Sequence, residues 1–261
     1  MKLGCAHGLH SAGLAGDPAS PVHRLDARAK LLGLAGLTVI AATSPAAAWP
    51  LLACCAALLA LVAARARVPA RVLWRRALVI LPIVVLAAAS LPFVRHGGAV
   101  YRLGPLGLSE TGLAVFGAAV AKAGVGTLSA ILLAATTTVP AALDGLRRLH
   151  APPLLVAIAA VTWRYVFVLA AELARMRDAL AARAHRPRHL LQGATAGRLA
   201  TALFLRAHAR GERVHVAMAA RGWRGVPPAP PAAALRPGDV AFVAALLGLP
   251  LLLRVLLEVA P

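Results

Sequence analysis

The chain has 261 residues, 60% of them hydrophobic, with a net charge of +19 and a mean hydropathy of +0.77. A soluble domain rarely combines these values, because its solvated surface must be polar. The aromatic content of 4% and the position of the basic residues between apolar segments argue against a nucleic-acid-binding protein. The composition instead predicts an all-α polytopic membrane protein, with positive charge retained on the cytoplasmic side.

Residues 1–30 are predicted to form a cytoplasmic N-terminal segment. Cys5, His7 and His10 belong to the residue types that bind transition metals. They lie in a stretch rich in Gly, Ala and Ser, which is typical of a flexible tail, so they are weak candidates for a metal site. The basic stretch that follows predicts an anchor at the cytoplasmic surface, in which Asp26 can cap a helix.

A long uncharged stretch, 31–64, predicts the first two membrane spans. As one helix it would measure about 51 Å, which exceeds the hydrocarbon core of a bilayer, about 30 Å. Because Pro45 and Pro50 divide the stretch, we expect a hairpin of two helices near 30–45 and 47–64.

Two further spans are predicted at 77–94 and 111–139, so that residues 31–139 hold four transmembrane helices. The five Arg of 65–76 indicate a cytoplasmic loop between the second and third spans. Lys122 lies inside the fourth span, where a Lys costs about 2.5–3.5 kcal/mol on insertion scales. Either a contact with another subunit or snorkelling toward the outer headgroups would reduce that cost.

Residues 140–225 are predicted to form a cytoplasmic module, because they contain the densest basic stretch. Residues 172–224 hold eleven Arg, four His and three acidic residues. The apolar segment 152–171 is long enough to cross a bilayer, but a fifth crossing there would place this charge outside the cell. We therefore expect 152–171 to lie at the cytoplasmic interface and to continue as one helix toward Ala184. A second, amphipathic helix is predicted over 198–221.

The C-terminal part is predicted to consist of a Pro-rich linker at 226–238 and a last transmembrane helix within 239–261. Consecutive prolines favour an extended linker. Asp239 can cap the last helix, and Arg254 and Glu258, one turn apart, can pair. The chain then has about five transmembrane helices and lies in the cell membrane with its N-terminus in the cytoplasm.

No catalytic motif stands out in the sequence. It holds no phosphate-binding Gly-rich loop ending in Lys-Ser or Lys-Thr, no His-Glu-x-x-His and no Gly-x-Ser-x-Gly. A membrane enzyme or ion-coupled pump normally clusters ionisable groups inside the bilayer, and this chain has only nine acidic residues. We therefore predict that the chain is not an enzyme, and we assign it no cofactor.

The most specific signal is the stretch 210–225, RGERVHVAMAARGWRG. It resembles the second coupling motif of the transmembrane (T) component of energy-coupling-factor transporters, most closely in the cobalt and nickel uptake branch. The stretch LDARAKL at 25–31 is similar to the entry motif Asp-Pro-Arg-x-Lys-Leu of that family, with Ala27 in place of Pro. In order and spacing the resemblance covers nearly the whole chain. The residues of the entry motif are Asp26, Arg28 and Lys30.

The resemblance implies two long cytoplasmic helices, each ending in an Ala-Arg-Gly motif that docks on one of two ATPase subunits. It also implies that a separate substrate-binding membrane subunit, not this chain, holds the cobalt or nickel. An Arg at a helix C-terminus suits docking, because the helix dipole stabilises it and its guanidinium can bind a carboxylate with two hydrogen bonds. In the first motif Ala184 replaces Gly. The implied coupling residues are Ala182, Arg183, Ala184, Ala220, Arg221 and Gly222.

Three alternatives stay open on the sequence. The basic helices could lie on anionic lipid instead of on ATPases. Within the family, the substrate could be a vitamin such as biotin. From a different class, the chain could be a stand-alone membrane carrier or a membrane enzyme.

Overall fold

The computed structural model describes residues 20–90, 100–103, 106–183, 193–223, 225 and 234–259. This part of the chain is helical except for one short β-hairpin and the connections, which confirms the predicted all-α membrane class. It divides into two compact units, of which the second runs from His150 to Ala232 and the first comprises the chain on either side.

The first unit starts with a helical hairpin, as predicted. Helix α1 spans Ala27–Thr43 and α2 spans Trp49–Arg65. The backbone N–H of Arg28 donates to the Asp26 carboxylate at 2.9 Å, so Asp26 caps the N-terminus of α1. Pro50 lies in the first turn of α2, where a missing N–H costs no intrahelical hydrogen bond.

The next helix, α3, spans Ala70–Ala88 and begins well before the predicted third span at 77–94. The prediction of a loop over 65–76 was therefore wrong: only Ala66 to Pro69 connect α2 to α3. Arg is a good helix former, so the Arg residues after Pro69 continue the helix instead of breaking it. Residues 91–94 of the prediction lie outside the described part of the chain.

A β-hairpin, which the sequence analysis did not predict, lies between α3 and the next helix. Strands β1 (Val100–Leu103) and β2 (Leu106–Ser109) pair in antiparallel register. Helix α4 follows directly at Glu110–Thr136, and the predicted fourth span ends three residues later than this helix, at 139. The short helix α5, Val139–Arg148, takes up the chain from there.

Helix α1 lies at the centre of the first unit. It packs against α2, α4, α5 and the C-terminal helix α8, Pro237–Val259. The approach to α8 is close, since a Cβ added at Gly36 would lie 2.6 Å from the Leu247 side chain. Small residues at such a contact are typical of helix packing within a bilayer. The buried core around α1 includes Leu34, Leu37, Leu51, Leu59, Leu132 and Leu246.

The second unit consists of α6, Pro153–Ala182, and α7, Gly193–Ala220. Helix α6 is continuous, which confirms that 152–171 extends as one helix toward Ala184, although Ala184 itself lies outside the described residues. Helix α7 includes the amphipathic helix predicted over 198–221, except for its last residue, and starts earlier.

Three of the described helices are long and apolar enough to cross a membrane: Thr111–Thr136 in α4, Pro153–Ala182, and Pro237–Glu258 in α8. Helix α2 is a shorter apolar helix. By length and composition α6 therefore qualifies as a span, and its placement at the cytoplasmic interface stays a prediction that rests on charge.

Candidate functional site

The second predicted coupling motif, at 220–222, forms the C-terminal end of α7. Gly222 adopts the left-handed conformation, with φ +79°. Its backbone N–H donates to the carbonyl of Ala219 at 2.9 Å, and the N–H of Trp223 donates to the carbonyl of Met218 at 3.0 Å. These two bonds make a Schellman motif, which satisfies carbonyls that a helix leaves free at its end.

Arg221 occupies the position between the last helical residue and this glycine. Its side chain is exposed, and it forms no ion pair within the described residues. The partial negative charge of the helix end favours a cation there. The guanidinium is therefore positioned by a defined turn and can bind a carboxylate of another protein.

The first predicted motif lies at the end of α6. Ala182 is the last residue of the helix, and the backbone N–H of Arg183 donates to the carbonyl of Leu180 at 3.1 Å. Arg183 has φ −87° and is exposed, with no ion pair in the part of the chain that the structure describes. The two motifs thus share an exposed Arg just after the last helical residue, whereas the third position of the first motif, Ala184, lies outside the described residues.

A carboxylate joins the two helices of the second unit. Glu172 of α6 accepts hydrogen bonds from Arg175 of the same helix and from Arg206 of α7, the latter at 2.5 Å. Sequence analysis missed this contact, because partners 34 positions apart leave no local pattern.

An apolar groove of about 510 Å³ lies between α6 and α7. Several of its side chains are large and half exposed, among them Ile158, 55% exposed, and Val166, 49% exposed. An apolar surface of this kind marks a contact with a protein partner or with lipid. The groove runs to Met218 and Trp223, so it reaches the helix end that carries Arg221.

The N-terminal entry motif is built into the first unit. The Lys30 side chain is 2% exposed, and its Nζ donates to the backbone carbonyls of His23 at 3.1 Å and Thr136 at 3.0 Å. Lys30 therefore joins the segment before α1 to the end of α4. Arg28 lies beside Asp26, with 3.8 Å between the Nε and Oδ1 atoms.

Asp239 connects the same motif to α8. Its Oδ1 accepts from the backbone N–H of Asp26 at 2.8 Å, and its Oδ2 accepts from the N–H of Arg236 at 2.9 Å. The sequence suggested Asp239 as the cap, but the helix begins at Pro237, so Asp239 lies in its first turn and reaches back to the residue before the helix. The entry motif thus holds the starts of α1 and α8 together.

Lys122 has an internal role that the sequence did not reveal. Its Nζ donates to the backbone carbonyls of Ala42 at 3.2 Å and Ser44 at 2.5 Å, at the C-terminal end of α1. A cation satisfies such carbonyls and interacts favourably with the helix dipole. These bonds reduce the cost of the cation from within the chain, and the subunit contact and the snorkelling stay predictions. The predicted pair of Arg254 and Glu258 is confirmed, at 2.9 Å.

No group of three or more His, Cys, Asp or Glu is placed to hold a metal ion within the residues that the structure describes. Cys5, His7 and His10, the weak metal candidates of the sequence, lie outside those residues.

The fold and the site define a polytopic helical membrane protein that carries two long helices, each followed by an exposed Arg. Comparison with known proteins identifies the family: the chain belongs to the family described as CbiQ, cobalt transport protein, which matches residues 18–231. The cobalt transport protein CbiQ of Rhodobacter capsulatus is 40% identical over 146 residues. That match covers 53% of this chain and 59% of the relative, so it spans less than two thirds of the relative's length. The resemblance to the cobalt branch of the T components is thereby confirmed.

Proposed function

We propose that this chain is the T component of an energy-coupling-factor importer for cobalt, with nickel as the nearest alternative substrate. In this proposal it lies in the cell membrane with its N-terminus in the cytoplasm. It transmits ATP hydrolysis by two partner ATPase subunits to a substrate-binding membrane subunit, which holds the metal. The observation that carries the proposal is the end of α7, where a Schellman turn presents the exposed Arg221.

Each coupling helix is long enough to act as a lever. Helix α6 has 30 residues and α7 has 28, which correspond to about 45 Å and 42 Å at the rise of an α-helix. A movement of an ATPase that holds the Arg end would displace the whole helix, because the backbone hydrogen bonds keep it rigid. The apolar groove between the helices then serves as the contact for the substrate-binding subunit.

The charges at the helix ends are tested by the double substitution Arg183→Glu and Arg221→Glu in the full complex. We expect the ATPases to dissociate on purification and cobalt uptake to fall about thirtyfold or more, since breaking a buried charge pair at an interface costs about 2–5 kcal/mol. The matched control is Arg177→Glu with Arg198→Glu, which makes the same charge change on exposed residues of α6 and α7 outside the two motifs. If the ATPases still co-purify with the Arg183→Glu, Arg221→Glu protein and uptake persists, the coupling assignment is wrong.

The remaining alternatives give different outcomes. Uptake by this chain in cells that lack any partner ATPase would favour a stand-alone carrier. Biotin uptake without cobalt or nickel uptake would place the chain in a vitamin importer. Equal loss of uptake with both charge-reversal variants, and no loss of the ATPases, would favour basic helices that act by binding anionic lipid.

We propose further that α6 lies at the cytoplasmic interface within a module of residues 140–225. Its test is the variant Ala160→Cys in a background without the native cysteines, since Ala160 is exposed on α6. A membrane-impermeant thiol reagent should label it only after the cells are opened. Labelling from outside intact cells would show that α6 crosses the membrane.

A further inference from the structure

A second apolar groove, in the first unit, has no part in the proposed coupling function. It lies between α3 and α4 and has a volume of about 570 Å³. Its walls are apolar over most of their length, and a Cβ added at Gly124 would meet no atom within 4 Å, so the groove is open along α4. Its lining includes Leu73, Trp74 and Val84 of α3 and Val120, Ala123 and Leu128 of α4.

One end of this groove lies beside three Arg of α3. Arg71 lines the groove, and Arg75 and Arg76 lie one turn further along the helix, next to that end. No acidic residue occurs between Ala66 and Ala88, and none of these three Arg forms an ion pair within the described residues. Trp74 is 66% exposed beside them, at the kind of position where a Trp side chain marks the headgroup level of a bilayer.

The length of the groove matches one leaflet of a membrane. From Arg71 to Val84 the helix rises about 20 Å. Half of a hydrocarbon core measures about 15 Å, and the headgroup region adds several ångströms. A phospholipid with its phosphate at the Arg residues would therefore place an acyl chain along the apolar wall as far as Val84.

We propose that the groove between α3 and α4 binds an anionic phospholipid, with its headgroup at Arg71, Arg75 and Arg76 and an acyl chain beside Gly124. The three cations select a lipid that carries net negative charge over a zwitterionic lipid of the same chain length. The apolar wall distinguishes a bound lipid from a free phosphate, which would gain nothing from it. This inference does not depend on the coupling function.

Trp74 provides the probe, in a variant whose other three Trp are replaced by Phe. The protein is reconstituted in phosphatidylcholine vesicles, and its fluorescence is titrated with chain-brominated phosphatidylglycerol or chain-brominated phosphatidylcholine. We expect half-maximal quenching at a mole fraction at least about fivefold lower for phosphatidylglycerol. Gly124→Leu, which places a bulky side chain in the groove, should weaken quenching by both lipids.

A charge variant tests the contribution of the lipid headgroup separately from that of the acyl chain. Arg71→Gln with Arg75→Gln and Arg76→Gln should abolish the preference for phosphatidylglycerol and keep quenching by phosphatidylcholine. The matched control removes three exposed Arg from the second unit and should keep the preference. Equal mole fractions for the two lipids in the parent protein, or quenching unaffected by Gly124→Leu, would overturn the proposal, because either result describes unselective bilayer lipid. The control substitutions are Arg177→Gln, Arg198→Gln and Arg210→Gln.

Discussion

The glycine that follows α7 allows a quantitative test of the coupling geometry. Gly222 has φ +79°, a conformation in which a side chain crowds the following carbonyl oxygen. An added Cβ would meet no other atom within 4 Å, so contacts with the rest of the chain contribute no cost. The penalty of Gly222→Ala is therefore that of the backbone alone, about 1–2 kcal/mol.

This penalty makes the last turn of α7 open more easily. A cost of about 1–2 kcal/mol corresponds to an opening equilibrium about five- to thirtyfold larger. The bonds that open are those from the N–H groups of residue 222 and Trp223, 2.9 and 3.0 Å long in the native turn. Hydrogen exchange followed by mass spectrometry on the peptide that ends α7 should show faster exchange by this factor.

Gly197→Ala is the matched control within the same helix. Gly197 lies inside α7 and an added Cβ there also meets nothing within 4 Å, but its φ is helical. Ala is the better helix former by about 1 kcal/mol, so exchange around residue 197 should slow. If the two substitutions change exchange in the same direction, or if Gly222→Ala leaves it unchanged, the description of this helix end is wrong.

Three further substitutions test the first unit, with the thermal unfolding of the purified protein in detergent as the measurement. Lys30→Met leaves two carbonyls and nearby carboxylates without their cation and should lower the free energy of unfolding by about 3 kcal/mol. Lys122→Met removes charge-assisted bonds to the end of α1, at a cost of about 1.5–3 kcal/mol. Gly145→Ala brings a Cβ to 3.2 Å from backbone atoms of α1, which cannot give way easily, and should cost about 1–3 kcal/mol.

A matched control exists for the last of these substitutions. Gly124→Ala makes the same chemical change in open space, so it should leave the melting temperature unchanged or raise it slightly. A fall as large as that of Gly145→Ala would show that loss of a glycine, and not close helix contact, decides the result. Unchanged melting of the Lys30→Met protein would contradict the role given to that buried ammonium.

Local patterns predicted most elements but misplaced one. The uncharged length of 31–64 and its two prolines predicted the α1–α2 hairpin, because span length and helix breaking depend on neighbouring residues. The error at α3 has the same origin. Five Arg in twelve positions suggested a loop, although Arg favours helix. Charge indicates which part of a helix lies outside the apolar core of the bilayer, but it does not indicate the residue at which the helix begins.

In the candidate site, too, some features followed from the sequence and others only from the packing of the helices. The resemblance implied that a helix ends at the Ala-Arg-Gly motif, and the left-handed turn at Gly222 is the usual way in which a glycine ends a helix. The apolar groove between α6 and α7 was foreseen only as apolar faces, because its volume depends on how the two helices pack.

The sequence by itself determined the membrane class, the helical hairpin, the continuity of α6 and the positions of the motifs. These features depend on the hydropathy, prolines and charges of residues close in sequence, so they can be predicted without knowing which distant segments come into contact. Only the tertiary structure decided what the isolated charges do. Lys30, Lys122 and Glu172 bond to groups 106, 78 and 34 positions away. A charged group in an apolar protein must find a partner, but the folded packing decides which distant carbonyl or guanidinium comes within reach.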